Sequence, residues 1–210
     1  LNAIIGFSDI LKEQHLGPIG HKRYAEYADD IHRSGQHLLR LVSDILDLSK
    51  IEAGQETLRE TVFMPDTVIA DSLAILSDRA RRKSIKFQTD SISGDVWLRA
   101  DDVKLEQILI NLLANAVKFS FTGGRILIAS HLLDDGSFEI VVGDSGPGIE
   151  PDRLEQAFES FQRLDSAQQM AVEGTGLGLA TVYGIVRQSG GRIWVCSEPG
   201  EGTTFTVYFP

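Results

Sequence analysis

The chain has 210 residues, 42% of them hydrophobic, enough for one large or two modest globular domains. Its 30 Asp and Glu against 20 Lys and Arg give a formal net charge of −10, which argues against a nucleic-acid partner because phosphate backbones recruit basic faces. A single cysteine, Cys196, excludes an intrachain disulfide, and no apolar run approaches the ~18 residues of a membrane span.

The first 54 residues read as helix. Residues 1–15 place Ile4, Ile5, Ile10 and Leu11 on an apolar side, and Gly17-Pro-Ile-Gly20 breaks the pattern. A second helix, from about Lys22 to Ala53, sets Ala28, Ile31, Gly35, Leu38, Val42, Ile45 and Leu48 three and four apart. That spacing is a heptad seam, and Gly54 is a suitable stop. Two antiparallel helices leave such a seam partly uncovered, whereas pairing with a second copy gives a four-helix bundle. Residues 1–54 are therefore expected to form an antiparallel hairpin that is half of a homodimeric bundle. A simple hairpin packed on the rest of the chain is the plainer alternative. His32 and His37 fall off the seam and read as solvated.

Residues 55–210 alternate strands and helices. A strand at 57–63 precedes Pro65, a good first helical residue, and a helix runs to about Lys83. Arg79, Arg81, Arg82 and Lys83 read as a solvated helix end, where cations suit the dipole. Strands follow at 85–88 and 96–99. Asp101 can cap the next helix, which continues to about Phe119. Gly123-Gly124 turns into a strand at 125–132, and Asp134-Asp-Gly136 makes a hairpin into 138–143. A helix from about Leu177 to Ser189 ends at Gly190-Gly191, and strands 192–197 and 203–209 close the chain. Cys196, in an apolar alternation, reads as a buried strand thiol. The expected fold class is α+β: the helical hairpin, then a two-layer α/β sandwich with helices on one face of a mixed sheet.

Three short motifs punctuate this second domain. Asn111-Leu-Leu-Ala-Asn115-Ala-Val-Lys118 lies within a helix, so Asn111 and Asn115 share one face. Amides among leucines are costly to bury without partners, and a Mg²⁺ ion that also touches phosphates would account for them. Lys118, one turn on, can offer charge to a phosphate. The plainer alternative is the polar face of an amphipathic helix. Asp144-Ser-Gly-Pro-Gly148-Ile149 ends an apolar strand. Its carboxylate can accept from an exocyclic amine, and its glycines let backbone approach a flat ring, although Asp-Ser-Gly is also an ordinary turn. Gly174-Thr-Gly-Leu-Gly178-Leu179 opens a helix whose free N–H groups and dipole suit an anion. Acidic residues outnumber basic ones here too, so phosphates would be held by backbone and metal. No Gly-Lys-Ser/Thr follows, which excludes a Walker loop, and a dinucleotide fold lacks its early strand and acidic partner. Phe158-Glu-Ser-Phe161-Gln-Arg163 and the polar stretch to Glu173 connect the last two motifs.

In this order the motifs resemble the ATP-binding domain of bacterial sensor histidine kinases, which shares the ATPase fold of gyrase and the heat-shock chaperones. The likeness extends over nearly the whole chain. Leu1-Asn-Ala-Ile-Ile-Gly-Phe-Ser-Asp-Ile-Leu11 is similar to the segment after the phosphoacceptor motif His-Glu-Leu-Arg-Thr-Pro, and Asp47-Leu-Ser-Lys-Ile-Glu-Ala-Gly54 to the end of the second helix. The run from Gly178 to Gly191 is similar to hybrid kinases that carry a receiver domain downstream. The resemblance implies ATP and Mg²⁺ as cofactors. It implies that Asp144 contacts adenine, with Gly146, Gly148 and Ile149 around it and Thr203 supporting it. It makes Asn115 the metal ligand and puts Asn111 and Lys118 near the phosphates. Gly174, Thr175, Gly176, Leu177, Gly178 and Leu179 would receive the phosphates. Phe158 and Phe161 resemble the aromatic box beside a lid that closes over nucleotide, and Arg163 could reach the terminal phosphate.

The implied activity is transfer of a phosphoryl group from ATP to a histidine, then to an aspartate in the receiver domain of a response regulator. Asn111, Lys118 and Arg163 would act on the transferred group. The phosphoacceptor motif itself is missing. None of His15, His21, His32, His37 and His131 is followed by an acidic residue and an Arg-Thr-Pro-like run. The chain thus reads as a cytoplasmic fragment of a longer protein, whose anchoring at the inner membrane stays open. The rival reading is a non-catalytic scaffold that binds nucleotide and a regulator. A chaperone-like or gyrase-like ATPase is a third, and the helical hairpin argues against it.

Overall fold

A computed structural model describes the chain except residues 16, 21, 53–56, 91–95 and 159–175. It divides into two compact units, Leu1–Asp47 and Leu48–Pro210.

In the first unit, helix α1 (Asn2–Lys12) runs antiparallel to helix α2 (Lys22–Glu52). Three contacts descend the pair. A Cβ on Gly35 would lie only 2.8 Å from Ile5 Cγ1, so the small residue sets how closely the helices approach. Ser8 meets His32, and Lys12 Nζ lies 3.4 Å from Asp29 Oδ1. The expected seam is really two stripes. Ala28, His32 and Gly35, spaced four and three, face α1. Ile31, Leu38, Val42 and Ile45 lie on the other stripe and stay 40–50% exposed. His32 corrects the expectation of a solvated side chain. Its Nδ1 lies 3.3 Å from Ile5 O and 3.4 Å from Ser8 Oγ, and Asp9 Oδ1 is 3.8 Å away. The stripe it shares with Ala28 turns it inward.

The second unit is a two-layer sandwich. Its elements are β1 (Thr61–Phe63), α3 (Pro65–Arg82), β2 (Lys86–Asp90), β3 (Leu98–Ala100), α4 (Asp102–Phe119), β4 (Arg125–Leu132), β5 (Phe138–Asp144), α5 (Gly178–Gln188), β6 (Arg192–Glu198) and β7 (Gly202–Phe209). Among the described residues five strands form one sheet in the order β2-β4-β5-β7-β6, in which β2–β4 is the parallel pair. β1 and β3 pair separately as a small antiparallel sheet. The expected strands at 57–63 and 96–99 shrink to these three-residue pieces. Two short 3₁₀ turns, Pro151–Arg153 and Glu155–Phe158, fill part of the stretch read as irregular.

Helix α4 is the centre of the helical layer. Its leucines Leu105, Leu109, Leu112 and Leu113 are at most 2% exposed and pack with Ile126, Ile128, Ile140 and Val142 of the sheet. A helix flanked on both sides and floored by a sheet is apolar around most of its circumference. Each such leucine removed from water contributes about 1.5–3 kcal/mol. Asp101 caps it as expected, accepting from Lys104 N at 3.1 Å. The same carboxylate also accepts from Arg59 N at 2.8 Å.

Two further expectations are corrected here. Cys196 is exposed, not buried. The sandwich covers one face of the sheet, and in β6 the inward positions are Ile193, Val195 and Ser197. Trp194 and Cys196 therefore point to the open face. Lys83 is not part of a solvated cluster. Arg81 pairs on the surface with Asp78, whereas Lys83 Nζ donates to the carbonyl oxygens of Val117 (3.0 Å), Lys118 (2.6 Å) and Ser120 (3.2 Å) at the end of α4.

Candidate nucleotide site

The three motifs meet around the C-terminal half of α4. Asn111, Asn115 and Lys118 occupy its half-buried edge, which their i, i+4 and i+7 spacing keeps on one side. Asn111 Oδ1 reaches the start of α5: a Cβ on Gly178 would lie 3.5 Å from it. An amide oxygen thus sits at a helix N-terminus, where unpaired N–H groups concentrate positive potential. Lys118 Nζ lies 4.6 Å from the centre of the Phe119 ring.

Asp144 is the last residue of β5 and faces inward with Ile140 and Val142. Its Oδ1 accepts from Gly146 N at 2.8 Å, and the backbone of Thr203 donates to the carboxylate as well. Burial nevertheless dominates and pushes the carboxyl up from its ordinary value to about 6. Around it the backbone is packed too tightly for side chains. A Cβ on Gly146 would come 2.9 Å from Phe119 O, so the end of α4 forms one wall of the Asp144 loop. Gly148 has φ +72° and faces Glu198 O, and Gly202 has φ +125° and faces Asp144 O, in both cases with no room for a Cβ. Only glycine fits these two positions. Gly200 N donates to Pro147 O at 2.7 Å and ties the β6–β7 turn to the same loop.

Behind Asp144 lies a row across three strands. Asp144 pairs in register with Thr203, and Thr203 with Ser197. Ser197 Oγ lies 2.9 Å from Thr203 Oγ1, donates to Gly202 O at 2.8 Å and accepts from Ile149 N at 2.8 Å. Thr203 is 7% exposed. Ser197 was not singled out from the sequence. The signal available was the hairpin register, which sets it opposite Thr203.

The opening of α5 is partly described. Gly176 has φ +73°. The Leu177 side chain is fully buried, so it anchors this loop. Its carbonyl accepts from Thr181 N and Thr181 Oγ1. Leu179 packs against the core. Phe158 lies tilted against Tyr183 at 5.9 Å and edge-on to Phe205 at 6.2 Å, which fixes the end of the 3₁₀ turn on α5 and β7. Phe161, Arg163, Gly174 and Thr175 lie outside the described residues.

The site therefore offers an inward carboxylate, two helix-borne amides and a helix N-terminus. Residues 100–210 match the family of histidine kinase-, DNA gyrase B-, and HSP90-like ATPases. The chain belongs to that family. Residues 1–54 match the His Kinase A (phospho-acceptor) domain, and the chain is similar to histidine kinases along its whole length. Histidine protein kinase DivJ of Caulobacter vibrioides is 40% identical over 210 residues, covering 100% of this chain and 35% of DivJ. Full-length ShkA, crystallised with AMPPNP, superposes with a TM-score of 0.85 at 30% identity, covering 100% of this chain and 42% of ShkA. Histidine kinase ThkA, solved in complex with the response regulator TrrA, gives a TM-score of 0.71 at 25% identity, over 99% of this chain and 57% of ThkA. The chain thus spans about a third of the length of DivJ.

Proposed function

We propose that the second unit binds ATP with Mg²⁺ and transfers its terminal phosphoryl group to a histidine imidazole, from which a response-regulator aspartate receives it. The observation that carries this reading is Asn111 Oδ1 against Gly178, which joins the asparagine helix to the glycine-rich helix start. Asp144 accepts from the adenine amine, with Gly146, Gly148 and Ile149 allowing the ring to lie on backbone. The N–H groups from Gly174 to Gly178 receive phosphate oxygens, and Leu179 fixes that helix end in the core. Lys118 adds positive charge beside them, and Arg163 does so from the segment after Phe158 and Phe161.

The donor set fits Mg²⁺. Among the described residues no group of three or more His, Cys, Asp or Glu forms a metal cage. Mg²⁺ is commonly held by one or two protein oxygens plus substrate phosphates, and we assign that role to the Asn115 amide. The ion would neutralise charge on the phosphates. The rest is positioning: Asn111, Lys118 and the α5 N-terminus align the terminal phosphate with the incoming imidazole nitrogen. A P–N bond forms as the P–O bond to ADP breaks.

In the first unit, the exposed stripe of Ile31, Leu38, Val42 and Ile45 supports pairing with a second copy. The AMPPNP in ShkA and the regulator bound to ThkA support the nucleotide and partner assignments. No helix among the described residues is long and apolar enough to cross a membrane, and cytoplasmic placement is our reading. The deciding experiment measures Mg²⁺-dependent ATP binding by calorimetry. It then supplies a family hairpin carrying the His-Glu-Leu-Arg-Thr-Pro motif in trans and assays phosphohistidine. ATP binding without transfer would favour a nucleotide-binding scaffold.

A further inference from the structure

The hydrogen bonds of Ser197 have one consistent assignment. Its hydroxyl holds one proton and two lone pairs. Ile149 N–H can only donate, so it occupies one lone pair at 2.8 Å. Gly202 O can only accept, so it takes the single Ser197 proton at 2.8 Å. Thr203 Oγ1, at 2.9 Å, must then donate its own proton to the remaining lone pair. The reverse polarity would leave two oxygens 2.8 Å apart with no proton between them. The Thr203 hydroxyl is thereby left with lone pairs alone. It stands in register beside Asp144 on the inward face of the sheet, and an ionised carboxylate is likewise an acceptor only.

We propose that Ser197 is a specificity-determining positioning residue: by taking the Thr203 proton it makes Thr203 and Asp144 a pair of acceptors that admits a purine bearing an exocyclic amine and rejects one bearing an oxo group. The selection works directly or through a bridging water, because a water donating to both acceptors presents the same polarity. A freely turning threonine would discriminate less, since its hydroxyl could rotate to donate to an oxo group. A site built around fixed buried polarity rejects the wrong partner by leaving groups unpaired.

This inference rests on the reading of Asp144 as the base contact. The test titrates the chain with Mg-ATP and Mg-ITP, which differ at the exocyclic position, and compares wild type, Ser197→Ala, Ser197→Thr and Thr203→Val. Wild type should prefer ATP. Ser197→Ala should narrow the ATP-to-ITP affinity ratio by ~10-fold or more, a discrimination typical of fixed hydrogen-bond polarity. Ser197→Thr, which keeps the hydroxyl, should restore the ratio. Thr203→Val should narrow it, and the double variant Ser197→Ala/Thr203→Val should narrow it no further than Thr203→Val does. Ser197 also ties the Ile149 loop to β6, and loss of that tie alone would weaken both nucleotides by the same factor. Equal weakening in Ser197→Ala, or an unchanged ratio in Thr203→Val, overturns the proposal. If Ser197→Ala does not fold, the Thr203→Val ratio decides. A wild-type chain that binds ATP and ITP equally would remove the Asp144 reading itself, and so is separable from a failure of Ser197.

Discussion

Lys83 Nζ lies 2.6 Å from the carbonyl oxygen of Lys118, 35 residues further along the chain. With its bonds to Val117 O and Ser120 O it closes the C-terminal end of α4. The last carbonyls of a helix have no intrahelical donors and carry the negative end of the dipole. Phe119 O, within the same turn, is the wall against which Gly146 packs. The strut therefore ties the residue after α3 to the turn of α4 that walls the Asp144 loop.

Lys83→Met keeps the aliphatic stem and removes the ammonium. It should lower the unfolding free energy of the second unit by about 1–3 kcal/mol, the scale of charge-assisted hydrogen bonds to otherwise unpaired carbonyls. Lys83→Arg should recover part of the loss. Urea titrations of both variants give the values. A Lys83→Met curve that overlays wild type would show that water replaces the ammonium without penalty.

The Asp144 carboxyl, raised by burial to about 6, gives stability a defined pH dependence. A carboxyl whose folded value exceeds its unfolded value contributes stability that is fully present below the unfolded value, near 3.8, and is lost as pH rises through about 6. Above pH 6 the nucleotide-free domain thus carries a burden on the order of 2–3 kcal/mol from this group. Asp144→Asn should stabilise the nucleotide-free domain at neutral pH and have little effect at pH values below about 3.8. The difference between the two proteins in thermal unfolding across this range isolates the group. A difference that does not change with pH would contradict it.

Nucleotide binding should move the other way. A protonated carboxyl loses acceptor capacity, so ATP affinity should fall as pH drops through about 6. At neutral pH Asp144→Asn should weaken ATP by about 1–3 kcal/mol, the scale of one charge-assisted hydrogen bond. Asn115→Ala should chiefly remove the Mg²⁺ dependence of binding. Calorimetry with and without Mg²⁺ distinguishes the two roles, and an Asn115→Ala protein that keeps full Mg²⁺ dependence would move the metal elsewhere.

The hairpin should associate through its exposed stripe. Leu38 is 50% exposed in the single chain, and Leu38→Glu should raise the dimer dissociation constant ~10-fold or more, since each leucine buried is worth about 1.5–3 kcal/mol. Sedimentation over a wide concentration range measures it. A wild-type chain that stays monomeric throughout would assign the stripe to another partner.

The chain incubated with Mg-ATP should form no phosphohistidine of its own at His32. That imidazole is engaged by Ile5 O and Ser8 Oγ between the two helices. Acid-labile, base-stable labelling that is lost in His32→Ala would overturn this expectation.

Much of this protein is written locally. The three- and four-residue spacing of apolar positions marked α2, Gly123-Gly124 and Asp134-Asp-Gly136 marked the starts of β4 and β5, and Asp101 marked where α4 begins. The order of the three motifs and their glycines named the kind of site, because a helix start, a turn and an i, i+4 pair are each set by a few neighbouring residues. What only the tertiary structure decided are the pairings that span tens of residues. Periodicity could not separate the Ala28–His32–Gly35 stripe from the Ile31–Leu38–Val42 stripe, since both obey the same spacing and differ only in what lies opposite. It could not tell that Cys196 faces the uncovered side of β6, because alternation has two phases and packing of Ile193 and Val195 chooses one. Lys83 carried no signal in its own neighbourhood, and the hairpin register that sets Ser197 opposite Thr203 could not show that Ile149 N also reaches it. Their roles come from carbonyls and hydroxyls delivered by other elements, and a hydrogen bond is defined by where its partner is.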